Sequence, residues 1–336
     1  NTFIGAEAGD SITTGDENTA VGHGALDGAT TVNGNTAVGT DTMASASYAG
    51  GNNTAVGYNA MLVATTGSGL TAIGNQALDA NTTGSNNTAV GSAALGASTT
   101  AIESVAVGTF ALDANTTGSY NTAVGYNALS ANTTGTRNTS LGWGANRMGT
   151  TGAHNTAIGD ACMYQNDVTG SYNTGVGREA LHYVIGSSNT AVGYQALFAN
   201  TTGASNTAIG QGALDSCTTG AENTSIGKAS MEDVTTGNYN VALGVEALRE
   251  ATSAEENVAI GFQALEYATG SNNSALGTKA GEDVTTGGNN FFIGRETGVS
   301  GSPGGSITTG NNEGVIGNQS VSKINMQVSV TVASDE

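Results

Sequence analysis

The sequence predicts an all-β chain wound as a parallel β-solenoid, a β-roll of about nineteen 17-residue coils. Three observations predict it. An aliphatic residue followed by Gly recurs nineteen times, from Ile4-Gly5 to Ile316-Gly317, and the first seventeen intervals average 17 residues. Glycine supplies 52 of 336 residues and proline one, so turns are frequent without the Gly-X-Y period or the proline of collagen. The period is not that of a helix face, and Gly-bearing turns return too often for helices of useful length. A unit this short cannot bury an apolar face alone; stacked on its neighbours it can, which is the logic of a repeat array.

One unit reads N-T-A-V-G-Y-N-A-L-S-A-N-T-T-G-T-R, from Asn121 to Arg137. Asn opens sixteen of the nineteen copies, and stacked Asn side chains are expected to share a ladder of amide hydrogen bonds. The Thr that follows suits a strand. Next comes a small residue, as at Ala20, Ala123, Ser140 and Gly175, and then the aliphatic residue, as at Val21, Val124, Leu243 and Ile316. Neighbours in a strand face opposite ways, so the aliphatic column is expected to form the core and the small column to admit another backbone. After the Gly, an Ala-Leu pair such as Ala128-Leu129 gives a second apolar segment, with Met at Met43, Met163 and Met231. Thr133-Thr134-Gly135 closes the unit on a residue free to take positive φ.

Eighteen steps of ~4.8 Å make a rod roughly 86 Å long. A 17-residue coil has a perimeter of at most ~60 Å, which leaves room for about one layer of side chains. So thin a core is marginal alone. The expected remedy is self-association, with the small-residue face of three chains packed around one axis.

Residues 1–299 read as the regular array, 300–320 as a loop insertion and a last irregular coil, and 321–336 as a long C-terminal strand leading to a downstream domain. Phe291-Phe292 replaces Thr-Ala and is expected to end the close packing or fill a widening gap. The one long interval, 23 residues, holds the single proline in Ser302-Pro303-Gly304-Gly305. Beyond it Ile324, Met326, Val328, Val330 and Val332 alternate with polar residues, the period of a half-buried strand. The first residues are already in register, so the array reads as cut from a longer one.

Eight basic against 27 acidic residues give a net charge of −19, which excludes a nucleic-acid binder that works by neutralising phosphates. No apolar run is long enough to span a membrane as a helix. Catalysis requires a nucleophile, a base or paired acids fixed in a pocket, and the chain suggests neither that nor a cofactor. His23, His154 and His182 lie far apart without ligand spacing, and the repeat of calcium-binding solenoids is missing, so no metal is expected. Asp113, Asp215, Glu246 and Glu266 read as solvated. Cys162 and Cys217 stand about three coils apart, too far to bridge within one chain.

The variable residue after the Gly offers the candidate site. Tyr58, Tyr126, Trp143, Arg178, Tyr194 and Phe262 occupy that column, and aromatic rings on a rigid surface can stack on sugars or anchor a protein interface. Tyr120, Tyr172 and Tyr239 form a second series in the turn before the Asn. The Thr doublets raise ice binding, but they sit at a Gly turn and are interrupted near Tyr183 and Ala268.

At N-T-A-V-G-x-x-A-L the chain resembles the head repeats of trimeric autotransporter adhesins, and still more the longer repeats of bacteriophage tail fibres. The resemblance implies a left-handed, homotrimeric β-roll in a virion appendage or on a bacterial surface, serving as spacer or contacting a host-surface glycan or protein. Ser334-Asp335-Glu336 is similar to the opening of the endosialidase-type intramolecular chaperone domain that ends many phage fibres. That similarity implies cleavage between Ser334 and Asp335. A chaperone domain downstream would favour the phage fibre; an anchor barrel would favour the adhesin head.

Overall fold

The computed structural model describes residues 1–45, 48–165, 167–302, 305–318 and 320–321. It is an all-β solenoid: nineteen three-residue strands, from β1 (Thr2–Ile4) to β19 (Gly314–Ile316), form one parallel sheet in which each strand pairs with the next. No helix occurs among the described residues. Each strand is the Thr-small-aliphatic triplet, and the register keeps like over like: Thr122, Ala123 and Val124 of β8 (Thr122–Val124) sit opposite Thr139, Ser140 and Leu141 of β9 (Thr139–Leu141). A period that averages 17 residues therefore becomes columns running the length of the rod.

The two apolar columns of the strand face opposite ways, but inside and outside are the reverse of the expected assignment. The small column is the buried one: Ala20, Ala37, Ala123 and Ala191 are wholly inaccessible within the single chain. None of the nineteen aliphatic residues before Gly is buried, and Ile73, Leu141, Leu276 and Ile316 are 41–53% exposed. The cause is room. Leu129, Met163 and their equivalents already fill the interior from the opposite wall, so a narrow coil has space only for Ala from the strand. The expectation that the small face packs against a partner chain is thereby overturned, since that face is spent on the chain's own core.

Positive φ supports the second wall. Asn127 has φ 55° and Leu129 φ 52°, and the same two offsets recur along the array. A non-Gly residue there costs about 1–2 kcal/mol. The stacked neighbours offset it: the Leu129 N–H donates to the Ala145 carbonyl at 2.9 Å and the Asn127 N–H to the Thr109 carbonyl at 3.1 Å. Gly135 of the T-T-G turn, by contrast, has no positive φ. It is glycine for space, because an added Cβ would overlap the Gly152 carbonyl oxygen and the Asn132 side chain.

The Asn ladder exists, mostly as side chain to backbone. Asn121 accepts from the Asn138 N–H at 2.9 Å and donates through Nδ2 to the Gly135 carbonyl at 2.8 Å. Each buried amide thus ties its own coil to the next and satisfies both polar ends. Direct Asn-to-Asn bonds join Asn206, Asn223, Asn240 and Asn257 at 3.1–3.2 Å. In the turn column Cys217 stands in for Asn, its Sγ 3.5 Å from the Gly220 carbonyl where Asn132 Nδ2 reaches Gly135 at 3.1 Å.

Departures from consensus compensate one another. Phe292 is fully buried in the Ala column, and the Leu position holds Gly281 and Gly298 beside it. A Cβ on Gly281 would come 2.7 Å from the Phe292 ring, so one phenyl fills the place of two Leu side chains. This is the gap-filling outcome expected of Phe292. Gly175 likewise replaces Ala where Cys162 replaces Ala, and a Cβ there would lie 2.6 Å from Cys162 Sγ. Gly175→Ala is expected to lower the melting midpoint, at about 1–3 kcal/mol for overpacking, and the Gly175→Ala/Cys162→Ala double variant to restore it. Equal loss in the single and double variants would show that the two sites are not coupled.

The loop after Gly298 is tied to the array: Ser300 N–H and Ser306 Oγ both donate to Asp283 Oδ2 at 2.9 Å. Pro303 and Gly304, the alternating segment Ile324 to Val332 and the Ser334-Asp335 processing site lie outside the described residues.

Candidate functional site

The residue after the Gly of each repeat leaves the strand for the turn, and its side chain points to solvent. Tyr58, Tyr126, Trp143, Tyr194 and Phe262 are 41–53% exposed, and the Arg178 side chain is 61% exposed. The structure does not gather them into one site. Tyr58 and Phe262 each lie four coils from the nearest of the others, ~19 Å along the rod. The middle members each acquire a neighbour. Tyr126 meets Phe110 edge-on at 6.3 Å, and the Arg178 guanidinium lies 5.8 Å from the Tyr194 ring centre while pairing with Asp160 at 3.6 Å and Glu179 at 3.0 Å. Trp143 stacks on Tyr164 at 5.3 Å.

Tyr164 belongs to a column missing from the sequence-based assignment. Five residues after the repeat Gly stand Arg147, Tyr164, His182 and Phe198 on four consecutive coils. They stack into a ladder: the Arg147 guanidinium 5.2 Å from the Tyr164 ring centre, Tyr164 to His182 at 5.6 Å, His182 to Phe198 at 5.0 Å. Tyr183 closes edge-on against His182 and Phe198. Arg147 Nη1 also donates to Tyr164 Oη at 2.9 Å. Gly144 makes room for this, since a Cβ there would lie 2.6 Å from the Tyr164 ring. The signal was present in the shared offset from the aligned Gly.

Phe110, Tyr126, Trp143 and the ladder make an oblique aromatic band across the middle coils. Residues 110–198 hold nine of the chain's seventeen aromatics but only four of its 27 acids, against three arginines. The band therefore carries a formal charge of −1 on a chain of −19, and it is the stretch an anionic surface can approach at least cost. His182 is buried, its Nδ1 3.1 Å from the Ala161 carbonyl, and burial lowers its pKa, so it stands in the ladder as a neutral ring.

The acids are less solvated than expected. Glu266 is 1% exposed and pairs with Arg249 at 3.1 Å, and burial raises its pKa despite that pairing. Asp215 is half-buried, and desolvation, helped by Glu232 and Asp233, pushes its carboxyl up to about 6. In the folded state Asp215 takes up its proton near pH 6, in the unfolded chain near 3.8, so stability falls as pH rises through that window. Asp215→Asn is therefore expected to raise the melting midpoint at pH 7 and to flatten its dependence between pH 4 and 7, checked by thermal melts across that range.

Cys162 and Cys217 are buried and free, and burial raises their thiols to about 12 and about 11. Among the described residues no group of three His, Cys, Asp or Glu side chains is placed to hold a metal. No family model matches the chain, and no curated protein matches it significantly.

Proposed function

We propose that the chain is a non-enzymatic structural segment of a homotrimeric fibre, in a bacteriophage tail fibre or similar virion appendage, acting as a stiff spacer that carries a host-contact band. The observation behind this is the outward aliphatic row, continuous over nineteen coils and buried at none of them. Flanked by the Thr column it forms a stripe ~86 Å long and about two side chains wide, on the order of 900 Å². Monomeric proteins rarely expose a patch beyond about 300–600 Å², and a standard interface covers about 800 Å² per partner.

The stripe repeats every coil, so its best complement is a surface with the same axial step, which a parallel copy has. The number three comes from the resemblance to phage fibres and adhesin heads. With the stripe turned to a common axis, the aromatic band supplies the host-facing contact through Tyr126, Trp143 and Tyr164. Electron micrographs of the purified chain test the spacer reading. Straight rods of one thickness, ~86 Å long, support it, and globular or curled particles contradict it.

A further inference from the structure

The outward stripe has a defect as a docking surface: it repeats. From β2 (Thr19–Val21) to β16 (Val258–Ile260) every strand offers Thr or Val and then an aliphatic residue, so each stretch of the face looks like the next. Copies held together by that row alone could slip by one coil and lose only one coil of contact at each end.

The relief changes in β17 (Ser274–Leu276) and β18 (Phe291–Ile293), which bring first Ser274 and then Phe291 into the Thr column. Here an open apolar groove of about 260 Å³ lies on the stripe, lined by Val258, Ile260, Ser274, Leu276, Phe291 and Ile293. An apolar cavity of about 150 Å³ already accepts a benzene ring. Phe291 itself is 45% exposed, its ring leaning over Gly314, where any side chain would collide with it.

We propose that this groove sets the axial register of the assembly by taking up the Phe291 ring of a second copy, parallel and at the same level. This rests on the trimer reading above. The occupant follows from three features: the groove continues the stripe, its lining carries no charge, and the projecting aromatic of matching chemistry lies at the same level on the same face. In a cyclic assembly each ring enters the next chain's groove and the set closes. When one chain of a closed set slips by one coil, one ring comes level with Ser274, still in a groove, and another comes level with Gly314, outside it. Burying one phenyl biases the register by about tenfold per chain.

The test uses two exposed strand positions one coil apart. Chains bearing Thr122→Cys are mixed with chains bearing Thr139→Cys, oxidised, and the disulfide pairs identified by mass spectrometry, alongside the solution mass. The buried native thiols do not compete. In the parent background like positions cross-link, 122 to 122 and 139 to 139. With Phe291→Thr the particles are expected to stay trimeric while mixed 122-to-139 links rise about tenfold. A Phe291→Thr trimer with the parent's pattern overturns the proposal, as does a Phe291→Thr chain that falls to folded monomers, which would make the ring an anchor rather than a key. A monomeric parent overturns the trimer reading itself.

Discussion

Gly125→Ala is expected to open the array at one coil. Gly125 has φ 136°, a conformation that side-chain-bearing residues scarcely adopt, and an added Cβ would overlap the carbonyl oxygen of Gly142 on the next coil. Neither conflict can relax without parting two coils. Parting them breaks the bond from the Gly142 N–H to the Val124 carbonyl at 2.9 Å, with the adjoining ladder. Strain and lost hydrogen bonds together come to about 3–5 kcal/mol. Hydrogen exchange should accelerate around residues 105–145 and stay slow in remote coils, because each coil touches only its neighbours. Gly212→Ala is the control: φ is 62°, nothing lies within 4 Å of the added Cβ, and Ala93 already holds the same place. It should cost no more than about 1 kcal/mol. Equal effects of the two substitutions would contradict the stacked-coil geometry.

The second large effect separates the two faces of the strand. Leu141→Asp places a charge on the outward row, where the single chain leaves the side chain 47% exposed, so the coil should fold and melt much as before. In the proposed trimer three such carboxylates would meet at the axis, unpaired and out of water. Each costs about 3–5 kcal/mol, so association should weaken by a hundredfold or more. Ala123→Asp sends the same charge inward, where Ala123 is wholly inaccessible, and should unfold the coil. Melting curves and sedimentation of both variants read the difference. Were the aliphatic row the core, the outcomes would be exchanged.

That inversion shows where sequence reasoning reached its limit. The period of about 17, the three-residue strands and the stacking of like on like were legible because Val124-Gly125 and its equivalents recur at nearly constant spacing. Period-two alternation also showed that Ala123 and Val124 face opposite ways. It could not show which faces in, because both are apolar and the larger residue is the natural candidate for a core. The deciding fact was volumetric: Leu129 enters from the far wall at φ 52°, a conformation seldom taken by Leu, and leaves the strand room only for Ala. The candidate surface was half legible. Exposure of Tyr126 and Trp143 followed from their variable column, but the ladder from Arg147 to Phe198 runs in another column and needed the aligned offsets to be compared. Compensation, as between Phe292 and Gly281 or Cys162 and Gly175, couples residues from different columns, which column statistics treat separately.

Whether the outward aliphatic row holds copies of the chain together is read from the mass of residues 1–336 in solution by light scattering. Three times the chain mass of 33.0 kDa is expected, falling to one times that mass on Leu141→Asp with the β-structure retained. A parent protein that is folded and monomeric at 33.0 kDa would contradict it.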